Sequence, residues 1–333
     1  MAAQNNSEQG TAAKILQHPA FSWCVLVGAL VLMPFVNPSI YLSMDILLFG
    51  LLAMGLNFIF GHMGVISFGH AMFFGIGAYT TGLIMLNFYE GLTVLLFGVL
   101  AATIVAILIG YICLKKFPPG SDPAYLALTT LAFSQMFYFL VWSPLSKITG
   151  GSDGLLAIPT PPLQIPGLFS ISLDSPYRLY FFIMVVFLIC GILIKRIIHS
   201  PFGRVILGIR ENELRVSFLG YNTFRFRLIC FTLSGFFGGV AGSLYPIRMN
   251  YVGLDSFHWM LSGEIIIMCL IGGMRTLWGP LVGSIIFLSF KDLISSYTQE
   301  WMGFIAAIVI GLVLFLPMGV WDKITRSVAR ISE

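Results

Sequence analysis

The sequence predicts an all-α, polytopic integral membrane protein of about ten transmembrane helices, with some segments broken or re-entrant. Three observations predict it. Of the 333 residues, 58% are hydrophobic and only 10% are charged, whereas a soluble domain carries roughly 25% charged residues. So little polar surface cannot cover a globule, which excludes a soluble enzyme, a disordered chain and a nucleic-acid binder. Apolar runs recur near 21–36, 44–60, 66–86, 92–114, 124–143, 177–198, 226–247, 259–274, 277–296 and 301–321. Most approach the ~20 residues a spanning helix needs. With the N-terminus in the cytoplasm, 14 of the 18 Lys and Arg fall inside, and Lys147, Arg178, Arg248 and Lys291 fall outside. The positive-inside rule is met with an even number of spans and both termini cytoplasmic.

Each element follows in order. Residues 1–20 are polar and small and form a cytoplasmic N-terminal segment. The run at 21–36 has no basic residue before it except Lys14 and no small-residue cleavage site, and it ends in Asn37-Pro38. It is a first span rather than a signal peptide. The runs from 21 to 321 make one membrane domain. The run at 66–86 is rich in glycine, and the pair across 259–296 is interrupted by Gly272, Gly273, Gly279 and Pro280. These are the candidates for half-helices or re-entrant segments. The fifth run carries a polar stripe, Thr129, Thr130, Ser134 and Gln135, which lines a pathway or bonds to neighbouring helices. Gly235 and Gly239, Gly238 and Gly242, and Gly279 and Gly283 are small-xxx-small pairs suited to close helix packing. Residues 144–176 form an external loop dominated by turn residues, and 322–333 form a cytoplasmic tail.

Catalytic chemistry is hard to find. No Gly-Lys dipeptide occurs, so the chain has no phosphate-cradling loop of its own. Cys24, Cys113, Cys190, Cys230 and Cys269 lie singly in apolar runs, without metal or disulfide spacing. His62 and His70 are close in sequence but lack a third ligand. Asp45 and Glu264 sit near the outer ends of their helices. Two isolated acids do not make a proton relay, and each is expected to snorkel outward or cap a helix.

The inner loop, 199–225, is the one strongly charged stretch. Pro201 after Ser200 opens a helix, and Gly220 followed by Asn222 ends it. Glu211 and Arg215 stand i,i+4 apart with the acid first, the better order for a helix pair. Val205, Ile206, Ile209, Leu214, Phe218 and Leu219 give the segment an apolar side. An amphipathic helix of this kind rests on anionic headgroups or meets a protein partner, and both readings stay open. In the glycine-rich stretch, a break in a helix would expose backbone polar groups that must face protein or a polar cavity. Asn57, Ser67 and His70 need partners there that helix packing alone does not supply.

Ordered blocks of this sequence carry a resemblance. They are Ala53–Gly64, Ser67–Tyr79, Thr149–Gly154, Ser200–Arg204, Ile209–Glu213 and Gly272–Pro280. From about residue 50 to 320, the chain resembles the permease subunits of ABC importers for branched-chain amino acids, the second of the two paired permeases. The resemblance implies a homologous permease, two cytoplasmic ATPases and an extracytoplasmic solute-binding protein as partners. It implies no cofactor on this chain, with ATP bound by partner subunits, and a place in a bacterial-type cytoplasmic membrane. On this reading the translocation path is expected at Asn57, Gly61, Ser67, Gly69, His70, Gly75 and Gly77. ATPase coupling falls at Arg204, Arg210, Glu211, Asn212, Glu213, Arg215 and Gly220, and binding-protein docking at Gly150, Gly151, Ser152, Asp153 and Gly154. The inner helix departs from the general importer motif, and Arg275 stands where a small residue is expected. Relatives carry urea, short amides or small acids as well as amino acids. An ion-driven transporter would need buried coupling acids, and a membrane enzyme would need a catalytic cluster; the sequence offers neither.

Overall fold

The computed structural model describes residues 19–37, 39–88, 91–116, 123–161, 163–165, 169–171, 173–298, 300–315, 319–321 and 323. The N-terminal segment up to 18 and the tail from 324 lie outside the described residues, and with them most of the termini expected in the cytoplasm.

In chain order the elements are α1 (Pro19–Val36), α2 (Ile40–Asn57), α3 (His70–Asn87), α4 (Val94–Lys115), α5 (Pro123–Trp142), the single turn α6 (Ser146–Thr149), strands β1 (Leu163–Ile165) and β2 (Phe169–Ile171), then α7 (Pro176–Ile198), α8 (Pro201–Phe218), α9 (Thr223–Met249), α10 (Trp259–Gly272), α11 (Gly279–Ser295) and α12 (Trp301–Phe315). Every apolar run of the sequence has its helix. The strands pair antiparallel inside the outer loop, with Gln164 opposite Ser170, so the architecture is all-α apart from this small ribbon.

Among the described residues, five helices are long and apolar enough to cross a membrane: α2 with its extension to Met63, α4, most of α5, α7 and α9. By contrast, α10 has 14 residues and α11 has 17. At ~1.5 Å per residue they rise ~21 and ~26 Å, short of a ~30 Å hydrocarbon core. The interruption expected between them is a non-helical turn over 273–278.

α2 is the central helix. Of its most apolar window, 89% is buried, against 28% for α4. It packs among α7, α9, α10 and α11. α4 turns Leu96, Phe97, Leu100, Ile104 and Leu108 outward, an apolar surface that lipid would cover. α9 lies against α2, α3 and α4, and its small residues permit the approach. Gly235 and Gly239 face Ala106 and Ala102 of α4, while Gly242 faces the backbone of Phe74 on α3. Asp45 and Glu264 do not cap their helices, and each has a cationic partner. Asp45 pairs with Arg248, joining α2 to α9, and Glu264 pairs with Lys291 at 2.7 Å, joining α10 to α11. A charge in an apolar layer is costly alone, and a facing cation offsets that cost.

Candidate functional site

The break in the membrane domain lies at the end of α2. Phe58–Met63 winds as a π-turn, and Gly64 closes it at φ +79°, a conformation that favours glycine. Residues 64–69 are non-helical. The break thus falls inside the glycine-rich stretch, taking in the first residues of the 66–86 run, and α3 is continuous from His70. The glycines of α3 serve close packing instead. Gly75 receives the ring of Phe257, and Gly77 receives the carbonyl of Gly239.

Several polar groups gather at the π-turn. Asn57 donates from Nδ2 to the Thr276 carbonyl at 3.0 Å, and its Oδ1 is buried without a hydrogen-bond partner. The Nδ1 of His62 lies 3.3 Å from the Asn57 carbonyl. A side chain at Gly61 would collide with the Met274 carbonyl and with Asn57 Oδ1. The α2 break therefore rests directly on the 273–278 turn.

A second network lies behind the break. His70 places Nδ1 3.2 Å from Ser67 Oγ and Nε2 2.6 Å from Ser234 Oγ. Ser234 in turn donates to the Gly55 carbonyl, and Ser67 Oγ accepts from Gly69 N. Ser234 has one hydrogen, which Gly55 takes, so the ring must donate from Nε2. Ser67 can then donate to Nδ1, and the chain from Gly69 to Gly55 closes without an unpaired group. Thr130 Oγ1 accepts from Phe68 N at 3.2 Å, and Ser134 donates to the Phe257 carbonyl at 3.3 Å. The polar stripe on α5 thus bonds to its neighbours at these two positions. Asn57, Gly61, Ser67, Gly69, His70, Gly75 and Gly77 are all buried against atoms of this same chain. The groove lined by Trp259, Glu264, Phe287 and Met302 opens elsewhere, among α10, α11 and α12.

The inner segment begins as its caps dictate. Ser200 Oγ accepts from Gly203 N at 3.3 Å, with Pro201 at the first helical position. Gly220 takes φ +88°, and Asn222 caps α9 by accepting from Arg225 N at 3.1 Å. Inside α8 the backbone leaves the helix at Asn212, with φ −161° and ψ 100°. Its Oδ1 accepts from Arg215 N at 2.9 Å and so caps the stretch that follows. The kink falls between Glu211 and Arg215 and destroys their i,i+4 geometry, so no ion pair joins them. Glu213 instead pairs with Arg227 of α9 at 3.1 Å, and the Arg227 side chain is 2% exposed.

Arg204, Glu211, Asn212, Arg215 and Gly220 are exposed. Arg210 turns inward and donates to the Gly61 carbonyl. Its partial burial and then the neighbouring Arg275 hold its guanidinium below the usual arginine pKa, while Glu211 acts in the opposite sense. Beyond the kink, Leu214, Leu219 and Phe218 are uncovered, Phe218 to 88%. On the outer loop, Gly150, Gly151 and Gly154 all take positive φ. The loop is stitched to the segment after α9 by paired bonds between Leu155 and Val252, at 2.9 and 3.0 Å. Ser152 and Asp153 are exposed at its tip, and Gly151 and Gly154 are buried.

The site is thus a hydrophobic bundle with a broken central helix and a kinked helix packed against the break. The family described as branched-chain amino acid transport system / permease component matches residues 39–317. The chain belongs to this family. It is thus a member of a transport-permease family with several helices able to cross a membrane. It is 28% identical over 290 residues to the high-affinity branched-chain amino acid transport system permease protein LivM of Escherichia coli, covering 81% of this chain and 66% of that protein. The chain thus spans just under two thirds of that relative's length. It is 27% identical to the probable LivM of Methanocaldococcus jannaschii, over 77% of this chain and 82% of that one. It is also 27% identical to the guanosine ABC transporter permease protein NupQ of Bacillus subtilis, over 70% of this chain and 73% of that one. No solved structure matches the chain.

In this permease the sequence reading missed Ser234 and Arg227, the partners of His70 and Glu213. Ser234 is one small residue in a glycine-rich helix, and Arg227 stands beside Arg225 as if it were an ordinary flanking charge. The signal for Arg227 was its position one turn inside an apolar helix. Thr276 was also missed, since a backbone acceptor leaves no mark in the sequence.

Proposed function

We propose that this permease is a subunit of an ATP-driven importer in a cytoplasmic membrane, with both termini on the cytoplasmic side. It would move branched-chain or related small amino acids delivered by an extracytoplasmic binding protein. The observation that carries this reading is the far half of α8. Leu214, Phe218 and Leu219 stand uncovered on a charged helix, in a chain that has no phosphate-binding loop. Apolar side chains exposed beside Arg215 and Glu211 suit a protein groove better than an anionic membrane surface, which would repel the acid. The partners would be two ATPases below, a homologous permease at the side and the binding protein above. Arg204, Glu211, Asn212, Arg215 and Gly220 border the ATPase surface, and Gly150–Gly154 present Ser152 and Asp153 to the binding protein. ATP binding would move α8, and the bundle would alternate its opening around a path next to the broken end of α2. Asn57, Gly61, Ser67, Gly69, His70, Gly75 and Gly77 would set the shape of that break, holding it from within.

The substrate class rests on the names of the relatives, and the guanosine permease among them favours a second reading in which another small solute is carried. Uptake of labelled leucine, guanosine and urea into cells with and without this chain separates the two. Leucine uptake lost with the chain and restored by its return supports the first reading. Loss of guanosine or urea uptake with leucine unaffected replaces it with the second.

A further inference from the structure

Three segments of the permease meet at Gly61: the π-turn ending α2, the 273–278 turn between α10 and α11, and the first half of α8. Arg210 brings α8 there, alongside Phe202, whose ring stacks on Phe58 of the π-turn. It donates through Nη1 to the Gly61 carbonyl. Its stem lies on Gly64, where an added Cβ would stand 2.8 Å from Arg210 Cγ. The last carbonyls of a helix lack internal donors and carry the negative end of its dipole, and a cation satisfies both. Nearby side-chain charges act in opposite senses, Arg275 against the guanidinium and Glu211 for it. The carbonyl end of α2 supplies the attraction.

The opposite side of the Asn212 kink is tied elsewhere. Glu213 holds Arg227 on α9, and α9 grips α2 separately through Ser234 and Gly55. Two adjacent stretches of one short helix are therefore tied to two different membrane helices.

We propose that Arg210 is a positioning residue of the transport cycle: it does not face the ATPase but ties α8 to the broken end of α2. Displacement of α8 by a partner then reaches the π-turn and, through Gly61 and Asn57, the 273–278 turn. The proposal assigns Arg210 a role other than ATPase docking, and it rests on the importer reading.

The test uses Arg210→Met, which keeps the stem on Gly64 and removes the donors, and Arg210→Lys, which keeps a cationic donor. Each is purified with its partner subunits from the native membrane and reconstituted in vesicles with leucine as the probe. For Arg210→Met the expected result is ATPase recovery at the wild-type ratio and ATP hydrolysis within about twofold. Leucine moved per ATP falls at least about tenfold, the scale of one lost charge-assisted bond. Arg210→Lys should recover part of the loss. A second measurement needs no partner: hydrogen exchange on the purified chain should rise in residues 58–65 for Arg210→Met and stay unchanged in 236–243. Loss of the ATPases with Arg210→Met overturns the proposal, because Arg210 would then be a docking residue. Wild-type leucine per ATP, or unchanged exchange in 58–65, overturns it too. A wild-type complex without any ATPase is a different failure, since it removes the importer reading itself.

Discussion

The packing of α9 on α4 can be tested by moving one methyl group across the interface. A Cβ on Gly239 would stand 2.5 Å from the Cβ of Ala102 and 3.6 Å from the Val99 backbone. Carbon atoms rest at about 3.5–4.0 Å, so Gly239→Ala creates an overlap of roughly 1 Å. A Cβ has no rotamer to escape through, and the helices must separate. Such overpacking costs about 1–3 kcal/mol, of which the better helix propensity of alanine returns about 1 kcal/mol. Ala102→Gly loses that propensity and a buried methyl, together about 2 kcal/mol. In the double variant the methyl simply changes sides, the volume is conserved, and the propensities cancel. The coupling energy should be about 2–4 kcal/mol. Fluorescence-monitored melting in detergent is the assay. At roughly 2 °C per kcal/mol for a chain of this size, Ala102→Gly should lower the melting temperature by about 4 °C, and the double variant should restore it. A double variant no better than the sum of the two singles would refute the packing argument.

Other consequences follow from the same contacts. Ser234→Ala removes the group that accepts from His70 and donates to the Gly55 carbonyl, so it should destabilise the chain by about 1–3 kcal/mol in the same melting assay. Glu213→Gln leaves the guanidinium of Arg227 without its carboxylate; limited proteolysis should cut faster between 212 and 222. Phe218→Asp places a charge on an uncovered apolar surface. It should leave the melting temperature unchanged while abolishing recovery of ATPase partners in a pull-down.

The sequence made the helices legible because each is written locally. Ten apolar runs became helices, and Ser200, Pro201, Gly220 and Asn222 ended segments where their backbone preferences require. The glycine-rich stretch was legible as the place of a break, but its limits were not: Gly61 and Gly64 mark the break, whereas Gly75 and Gly77 mark close packing of the continuous α3. The kink at Asn212 was hidden because the apolar and charged pattern of a helix continues on both sides of it, although asparagine favours caps over helix interiors. Partners distant in sequence were hidden too. His70 meets a serine 164 positions away, and Arg210 meets a carbonyl 149 positions away. From composition alone, a polar residue in a membrane segment looks the same whether it faces a path or a buried serine. Arg275, which had no explanation in the sequence, sits exposed on the 273–278 turn near Arg210.

The central claim, that this permease works with ATPases docked on α8, is tested most directly by isolating the chain from its native membrane in mild detergent and identifying its companions by mass spectrometry. The account predicts two ATPases with phosphate-binding loops and a second, homologous permease, with the ATPases lost when Leu214 and Phe218 are replaced by aspartate. Recovery of the chain alone, or only with copies of itself, would contradict the account.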